Sequence, residues 1–262
     1  MLGKLLKYEF RSTGRVFLPF YGALVVVAIV TRILNSVKPS GRVGLIAPQL
    51  IGIVVTALML GAVCVIAIIL TIQRFNRNLL GDEGYLMFTL PVGTDSLIWS
   101  KLIVSVVWFL LSAVFGLFAI AILTPNLTRE ILKGIGVLFR DLFGHGAARD
   151  FSTVIYLLSG VLSVVWAVLS VYTAGSLAML VNRRRGLAAF GFWIGITTVA
   201  QIIGTLLLTW ATHIDYSAWW NELSYGTREV LGSLAVCATA LVGSAALYII
   251  TRVMLKRRLN LE

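Results

Sequence analysis

The sequence contains little charge. Only 13% of its 262 residues are Asp, Glu, Lys or Arg, about half the share found in soluble globular domains, whereas 59% are hydrophobic. A soluble fold of this length could not bury so much apolar surface. A lipid bilayer removes that difficulty, because side chains facing lipid can be as apolar as those in the core. The composition therefore predicts one membrane domain over residues 1–262.

Residue types that carry chemistry are also scarce. The two histidines, His145 and His213, fall in separate predicted loops, which argues against a paired metal site. The two cysteines, Cys64 and Cys237, fall inside predicted spans and are expected to be small core side chains. The Gly-x-x-x-x-Gly-Lys-Ser/Thr, His-Glu-x-x-His, Gly-x-Ser-x-Gly and Cys-x-x-Cys motifs do not occur. The sequence thus predicts that the chain is not an enzyme and binds no cofactor itself.

Six apolar segments are long enough to cross a hydrocarbon core of about 30 Å at about 1.5 Å per residue. They are predicted at residues 16–34, 50–72, 97–123, 154–181, 187–210 and 230–254. Their only ionisable residues of the Asp, Glu, Lys, Arg or His type are Arg32, Lys101 and Arg252, near span ends. Ion-coupled transporters and pumps usually place such a group near the midplane. Energy for any transport is therefore expected from another protein.

Basic residues are concentrated in alternate loops. The clusters are Arg183-Arg184-Arg185, Lys256-Arg257-Arg258, and Lys4, Lys7, Arg11 and Arg15 near the N-terminus. By the positive-inside rule they predict cytoplasmic termini and a multi-pass plasma-membrane protein. Because topology accounts for most of the net charge of +11, we expect no nucleic acid among the partners.

The first fifteen residues have the pattern of an amphipathic helix. Leu2, Leu5, Leu6 and Phe10 fall near one face and the basic residues largely elsewhere. This pattern predicts an interfacial helix over 1–15 whose basic residues reach lipid phosphates. The alternative is a basic tail that only orients the first span. The candidate interfacial residues are Lys4, Lys7, Tyr8, Glu9, Phe10 and Arg11.

A second amphipathic pattern lies between the third and fourth spans. Within 127–143, Leu127, Ile131, Ile135, Leu138 and Leu142 recur at helical spacing among charged residues. Such a helix either lies on the outer surface or dips into the membrane. It either contributes to a substrate site or packs against the bundle.

The loop 73–96 between the second and third spans is the most distinctive segment. The acidic pair Asp82-Glu83 is flanked by glycines and followed by a short amphipathic turn of helix from Tyr85 to Leu90, which Pro91 ends. Thr94 or Asp95 is then placed to cap the third span.

This order of segments resembles the membrane subunits of type-2 ABC exporters, of the small six-span kind found in Gram-positive bacteria beside a separate ATPase. Three stretches carry the likeness: Leu5–Phe10, Gly81–Val92 and Ser100–Leu102. The resemblance implies that the loop forms a cytoplasmic coupling helix that docks in a cleft of the ATPase, rather than a membrane-surface turn. The docking residues would be Gly81, Asp82, Glu83, Gly84, Tyr85, Leu86, Met87, Phe88, Thr89, Leu90 and Pro91.

The resemblance also implies a dimer of membrane subunits, and ATP and Mg bound by the partner ATPase. Gly191 and Gly195 form a Gly-x-x-x-Gly pair, which permits close helix contact and is either part of that dimer interface or a chance pair in apolar sequence.

The function implied is a permease that exports a hydrophobic or amphipathic substrate, such as an antimicrobial peptide, a drug or a lipid. The alternative of another class is a non-transporting scaffold or sensor that recruits a cytosolic partner. A secondary transporter and a membrane enzyme rank lower.

Overall fold

The computed structural model describes residues 2–36, 46–76, 93–143, 147–181, 184–213 and 223–258, and all regular secondary structure in these ranges is helical. The predicted all-α class is therefore confirmed. The helices are α1 (Leu2–Ser36), α2 (Ile46–Phe75), α3 (Thr94–Leu123), α4 (Pro125–Phe143), α5 (Ala147–Ala178), α6 (Arg185–His213) and α7 (Tyr225–Arg258).

Six of these helices are long and apolar enough to cross a membrane. Their spanning parts are Gly3–Ser36, Leu50–Phe75, Thr94–Leu123, Phe151–Ala178, Arg185–Leu207 and Gly226–Lys256. Each overlaps one of the six predicted segments, which confirms the prediction of a multi-pass membrane protein. The direction of insertion and the identity of the membrane stay predictions.

The predicted interfacial helix and the first span are parts of one helix. Helix α1 runs without a break from Leu2 to Ser36 and contains Pro19. A proline lacks the N–H that would bond the carbonyl four residues earlier, so this position is where α1 can bend. The interfacial position of residues 1–15 stays a prediction. The predicted coupling segment, Gly81–Pro91, lies outside the described residues.

The helices group into two compact units. Unit 1 comprises Met1–Gln73 and Trp99–Val137, and unit 2 comprises Arg74–Ile98 and Leu138–Glu262.

In unit 1, helices α1 and α3 run parallel. Contacts pair Glu9 with Lys101, Tyr21 with Ser112, and Arg32 with the carbonyl of Ile122, so residue numbers rise together along both helices. Two spans that are separated by one other span must cross the membrane in the same direction. Aromatic rings fill the contact: Phe17 stacks on Trp108 with centroids 4.6 Å apart. Offset stacking of buried rings adds about 0.5–1.5 kcal/mol to the burial of their area.

Helices α1 and α2 approach closely at Gly52. Thr31 Oγ1 donates to the Gly52 carbonyl at 3.1 Å and lies 3.2 Å from Thr56 Oγ1. A Cβ at position 52 would lie 2.9 Å from the Thr31 side chain. Glycine is therefore what allows this contact, as is common between membrane helices.

In unit 2, helices α5 and α7 run parallel along their length. Gly232 lies near Tyr156, Gly243 near Trp166, and Thr251 beside Thr173. Buried positions that lie three, four, seven or ten residues apart share one face of each helix, as in a coiled-coil seam. They are Ser152, Ile155, Ser159, Leu169, Thr173 and Ser176 on α5, and Ser233, Cys237, Ser244, Leu247, Thr251 and Leu255 on α7. Small and hydroxyl side chains let the two backbones approach.

Helix α6 also packs against α5. Trp193 Nε1 donates to Ser170 Oγ at 3.2 Å. The cysteine prediction is half right: Cys237 is buried in the α5–α7 seam, but Cys64 is exposed on α2. A span of this kind presents most of its surface to lipid, so a position inside a span does not by itself mean burial.

Candidate functional site

The site begins at the ends of the predicted docking segment. Residues 77–92 lie outside the described part of the chain, but both flanks are described and both belong to unit 2. The flanks therefore show to which helices this segment is attached.

The flank at the end of α2 is fixed to α5. Phe75 is almost fully buried, and its ring stacks on that of Tyr172 with centroids 4.2 Å apart and planes 10° apart. One turn further, a Cβ at Gly175 would lie 3.0 Å from Asn76 Oδ1 and 3.5 Å from the Phe75 ring. The last turn of α2 thus lies directly on the α5 backbone, and Gly175 leaves the space for it.

The flank at the start of α3 is fixed to α7. The helix begins at Thr94, and the Gly93 carbonyl accepts from the Ser96 N–H at 2.9 Å, so Gly93 takes the cap position predicted for Thr94 or Asp95. Asp95 lies inside the first turn, where its carboxylate accepts from Tyr248 OH at 2.9 Å and from Arg252 Nη2 at 2.7 Å. Its negative charge in the first turn also complements the α3 dipole.

The Asp95–Arg252 pair is half-exposed. Arg252 Nε lies 2.7 Å from Asp95 Oδ1, although it is not aligned for a hydrogen bond, and the two side chains keep 43% and 42% of their surface accessible. An ion pair with this exposure contributes only about 0.2–1 kcal/mol to stability. It can therefore open and re-form at low cost.

The two anchoring helices are joined to each other at the same level. Thr173 Oγ1 lies 2.9 Å from Thr251 Oγ1 and donates to the Leu247 carbonyl at 3.2 Å. In the sequence, Tyr172 is next to Thr173, Tyr248 is next to Leu247, and Arg252 is next to Thr251. A displacement of segment 77–92 would therefore act on a pair of helices that are already bonded together.

Unit 1 holds a second charged contact, within the predicted interfacial segment. Lys101 Nζ donates to Glu9 Oε1 at 2.8 Å, and the side chains are 2% and 11% exposed. Glu9 and Lys101 come from two of the three stretches that carry the family resemblance, and the structure brings them together. The other interfacial candidates diverge: Lys4, Lys7, Tyr8 and Arg11 are exposed, whereas Phe10 is half-buried near Trp108.

Sequence reasoning missed the residues that support this pair. Trp108 Nε1 donates to Thr13 Oγ1 at 2.7 Å, and Thr13 Oγ1 donates to the Glu9 carbonyl at 2.7 Å. One signal was available, because a lone charge in an apolar span requires a partner. The three charged residues of the spans predicted from sequence, Arg32, Lys101 and Arg252, all have one.

Gly191 and Gly195 lie apart from these contacts. Both are exposed on α6, and a Cβ at either position would meet no atom of the described residues within 4 Å. Within the described residues, no three His, Cys, Asp or Glu side chains are grouped so as to hold a metal ion.

Comparison of the chain with protein-family models, with curated proteins and with solved structures finds no match.

Proposed function

We propose that this chain is the membrane subunit of an ABC exporter, which moves a hydrophobic or amphipathic substrate with energy from a separate ATPase. The single observation that carries the proposal is the attachment of segment 77–92. Its flanks are held by α5 through Phe75 and Tyr172, and by α7 through Asp95 and Arg252. A partner that moves this segment therefore moves two spans.

The two attachments differ in a way that suits this role. The Phe75–Tyr172 stack is buried and apolar, so separating it would expose two rings. The Asp95–Arg252 pair is half-exposed and costs little to break. The α5 side thus acts as a fixed attachment and the α7 side as one that can change partners during a cycle.

The spans themselves offer no alternative source of energy. The membrane-spanning segments predicted from sequence contain no Asp, Glu or His, and Lys101 is held by Glu9 rather than facing a pathway. The sequence contains no phosphate-binding loop. ATP and Mg accordingly bind to the partner, and its apolar cleft receives Tyr85, Met87, Phe88 and Leu90.

A second membrane subunit completes the exporter. Gly191, Gly195, Thr198 and Thr205 fall on one face of α6 at spacings of four, three and seven residues, and all are exposed. Small residues on a lipid-facing helix allow close approach of another helix. This face is the proposed contact with the second subunit, which is a copy of this chain or a related one.

The first experiment identifies what the chain binds. The chain is tagged at its C-terminus, purified in mild detergent from its native membrane, and its companions are identified. We expect a stoichiometric subunit with a phosphate-binding loop whose ATP hydrolysis depends on this chain. Isolation of the chain alone, or with a partner lacking that loop, would contradict the proposal and favour a scaffold or sensor.

The second experiment tests the docking segment. In the purified complex, Asp82→Lys with Glu83→Lys is expected to abolish substrate-stimulated ATP hydrolysis, because it reverses the charge at the start of the docking helix. The matched control is Glu130→Lys on α4, whose side chain is 65% exposed. The docking assignment is wrong if the double variant hydrolyses ATP at the control rate while retaining its partner.

A further inference from the structure

Helix α4 carries an exposed apolar face. Leu132, Ile135, Phe139 and Phe143 recur at spacings of three and four residues, so they share one face of the helix. Each keeps between 45% and 80% of its surface accessible. Exposed apolar patches of this kind mark a surface that contacts a partner or a membrane.

The position of α4 brings this face to the membrane boundary. Only Thr124 separates α4 from the spanning helix α3, and only residues 144–146 separate it from α5. Thr128 Oγ1 donates to the carbonyl of Ala121, and the Thr128 N–H donates to the carbonyl of Thr124 at 3.0 Å. These bonds fix the corner between the end of a span and the start of α4.

A charged residue marks the level of that corner. Arg32, near the end of α1, donates from Nη1 to the carbonyl of Ile122 at 3.3 Å. A guanidinium is costly in hydrocarbon, so it lies at or near the headgroup layer. Helix α4 therefore starts in the same layer.

Charges are arranged unequally around α4. Arg129, Lys133 and Arg140 are exposed and occupy one line of the helix, at spacings of four and seven residues, next to the exposed apolar face. Half-buried Ile131 and Leu138 lie on the opposite edge of the apolar face. Lys133 also contacts Glu130 at 2.8 Å, but both side chains are more than 60% exposed, so this pair is weak and exchangeable.

We infer that α4 lies in the headgroup layer of the membrane face opposite segment 77–92 and binds anionic phospholipids there. Leu132, Ile135, Phe139 and Phe143 enter the acyl-chain boundary. Arg129, Lys133 and Arg140 lie beside the lipid phosphates, as on other basic amphipathic helices at membrane surfaces. The choice of membrane face follows from α3 and α5 crossing the membrane.

The depth of α4 is tested with nitroxide spin labels on the full chain carrying Cys64→Ala and Cys237→Ala. Ile135→Cys places the label on the apolar face, and Gly134→Cys places it on the polar face at a position where a Cβ meets no atom within 4 Å. In vesicles of phosphatidylcholine and phosphatidylglycerol, we expect label 135 to collide mainly with oxygen, about 5–10 Å below the phosphates. Label 134 should collide mainly with an aqueous nickel chelate.

Two outcomes would overturn the placement. Equal access of the nickel chelate to both labels would mean that α4 projects into water. Protection of label 135 from both oxygen and nickel would mean that protein, rather than lipid, covers the face.

The lipid class is tested by electron paramagnetic resonance of spin-labelled lipids bound at the protein surface. We expect the wild-type chain to prefer phosphatidylglycerol to phosphatidylcholine. Substituting Arg129→Gln, Lys133→Gln and Arg140→Gln together should lower this preference by about fivefold for each basic residue that contacts the surface. The control Glu130→Gln should leave the preference for phosphatidylglycerol unchanged or raise it. An unchanged preference in the folded triple variant would refute the anionic-lipid assignment.

Discussion

Lys101 Nζ lies 2.8 Å from Glu9 Oε1, and both side chains are nearly removed from solvent within unit 1. The pair joins the start of α1 to α3. Because a buried charge without its partner is strongly unfavourable, neither residue can be replaced singly without a large cost.

The Glu9–Lys101 pair predicts that the losses of unfolding free energy from two single substitutions do not add in the double variant. Glu9→Gln and Lys101→Met should each lower the free energy of unfolding by about 3–5 kcal/mol, whereas the double variant should lose much less. Unfolding by SDS titration from mild-detergent micelles measures the three values. Losses that simply add would show that the two charges do not depend on each other.

The exposure of the three ion pairs predicts the order in which they contribute to stability. Arg252→Met removes a pair that is about 43% exposed and should cost about 0.2–1 kcal/mol, far less than Lys101→Met. Lys133→Met removes the more exposed pair on α4 and should be close to neutral. The same titration gives the order Lys101→Met, Arg252→Met, Lys133→Met. An Arg252→Met loss equal to that of Lys101→Met would contradict it.

Gly175 should tolerate no side chain. The added Cβ in Gly175→Ala would lie 3.0 Å from Asn76 Oδ1, so the Asn76 side chain would have to shift, with the Phe75 ring 3.5 Å away. We expect a loss of about 1–3 kcal/mol from this overpacking. The control is Gly160→Ala on the same helix, where a Cβ meets no described atom within 4 Å and stability should be unchanged or raised. Equal stability of the two variants would show that α2 does not lie on α5 at this point.

Two glycines of α2 provide a similar test in unit 1. A Cβ in Gly52→Ala would lie 2.9 Å from the Thr31 side chain, whereas one in Gly61→Ala would meet no atom within 4 Å. Gly52→Ala is expected to cost about 1–3 kcal/mol and Gly61→Ala nothing, because only the first forces α1 and α2 apart. Thermal unfolding in detergent compares them. A stable Gly52→Ala variant would place Thr31 elsewhere.

The exposed face of α6 predicts a close contact with a second membrane subunit, which bulky side chains on that face would prevent. Gly191→Leu with Gly195→Leu should weaken association of membrane subunits by about tenfold or more, close to 1.4 kcal/mol, since the backbones could no longer approach. The control is Gly204→Leu, which is exposed on a different face of the same helix. Energy transfer between labelled chains in vesicles measures the association. Equal loss in the control would indicate a general defect of α6.

Much of the fold was predictable because its signal is local. Each membrane-spanning helix needs its own apolar length, so the six spans could be read from windows of sequence. The helix at Pro125–Phe143 was predictable for the same reason, because its apolar residues repeat within one element. The sequence predicted an interfacial helix over 1–15 and a first span from residue 16, whereas both belong to the continuous helix α1.

The candidate site depended less on local patterns. Sequence identified Lys101 and Arg252 only as ionisable residues near the ends of predicted spans. It could not identify Glu9 and Asp95 as their partners, since each pair joins residues more than ninety positions apart. Trp108 and Thr13 gave no signal, because an aromatic and a hydroxyl are ordinary residues in a membrane helix.

The sequence by itself therefore determined the number of spans, the amphipathic segments and the absence of common catalytic motifs, because these follow from composition and periodicity along one stretch of chain. Only the tertiary structure decided which spans run side by side, that Phe75 stacks on Tyr172, and that Asp95 binds Arg252. Such contacts depend on complementary shape and charge between distant segments, and the same apolar helices would fit many partners equally well in lipid. Small residues such as Gly52 and Gly175 select among those partners, and their effect emerges only when two backbones meet.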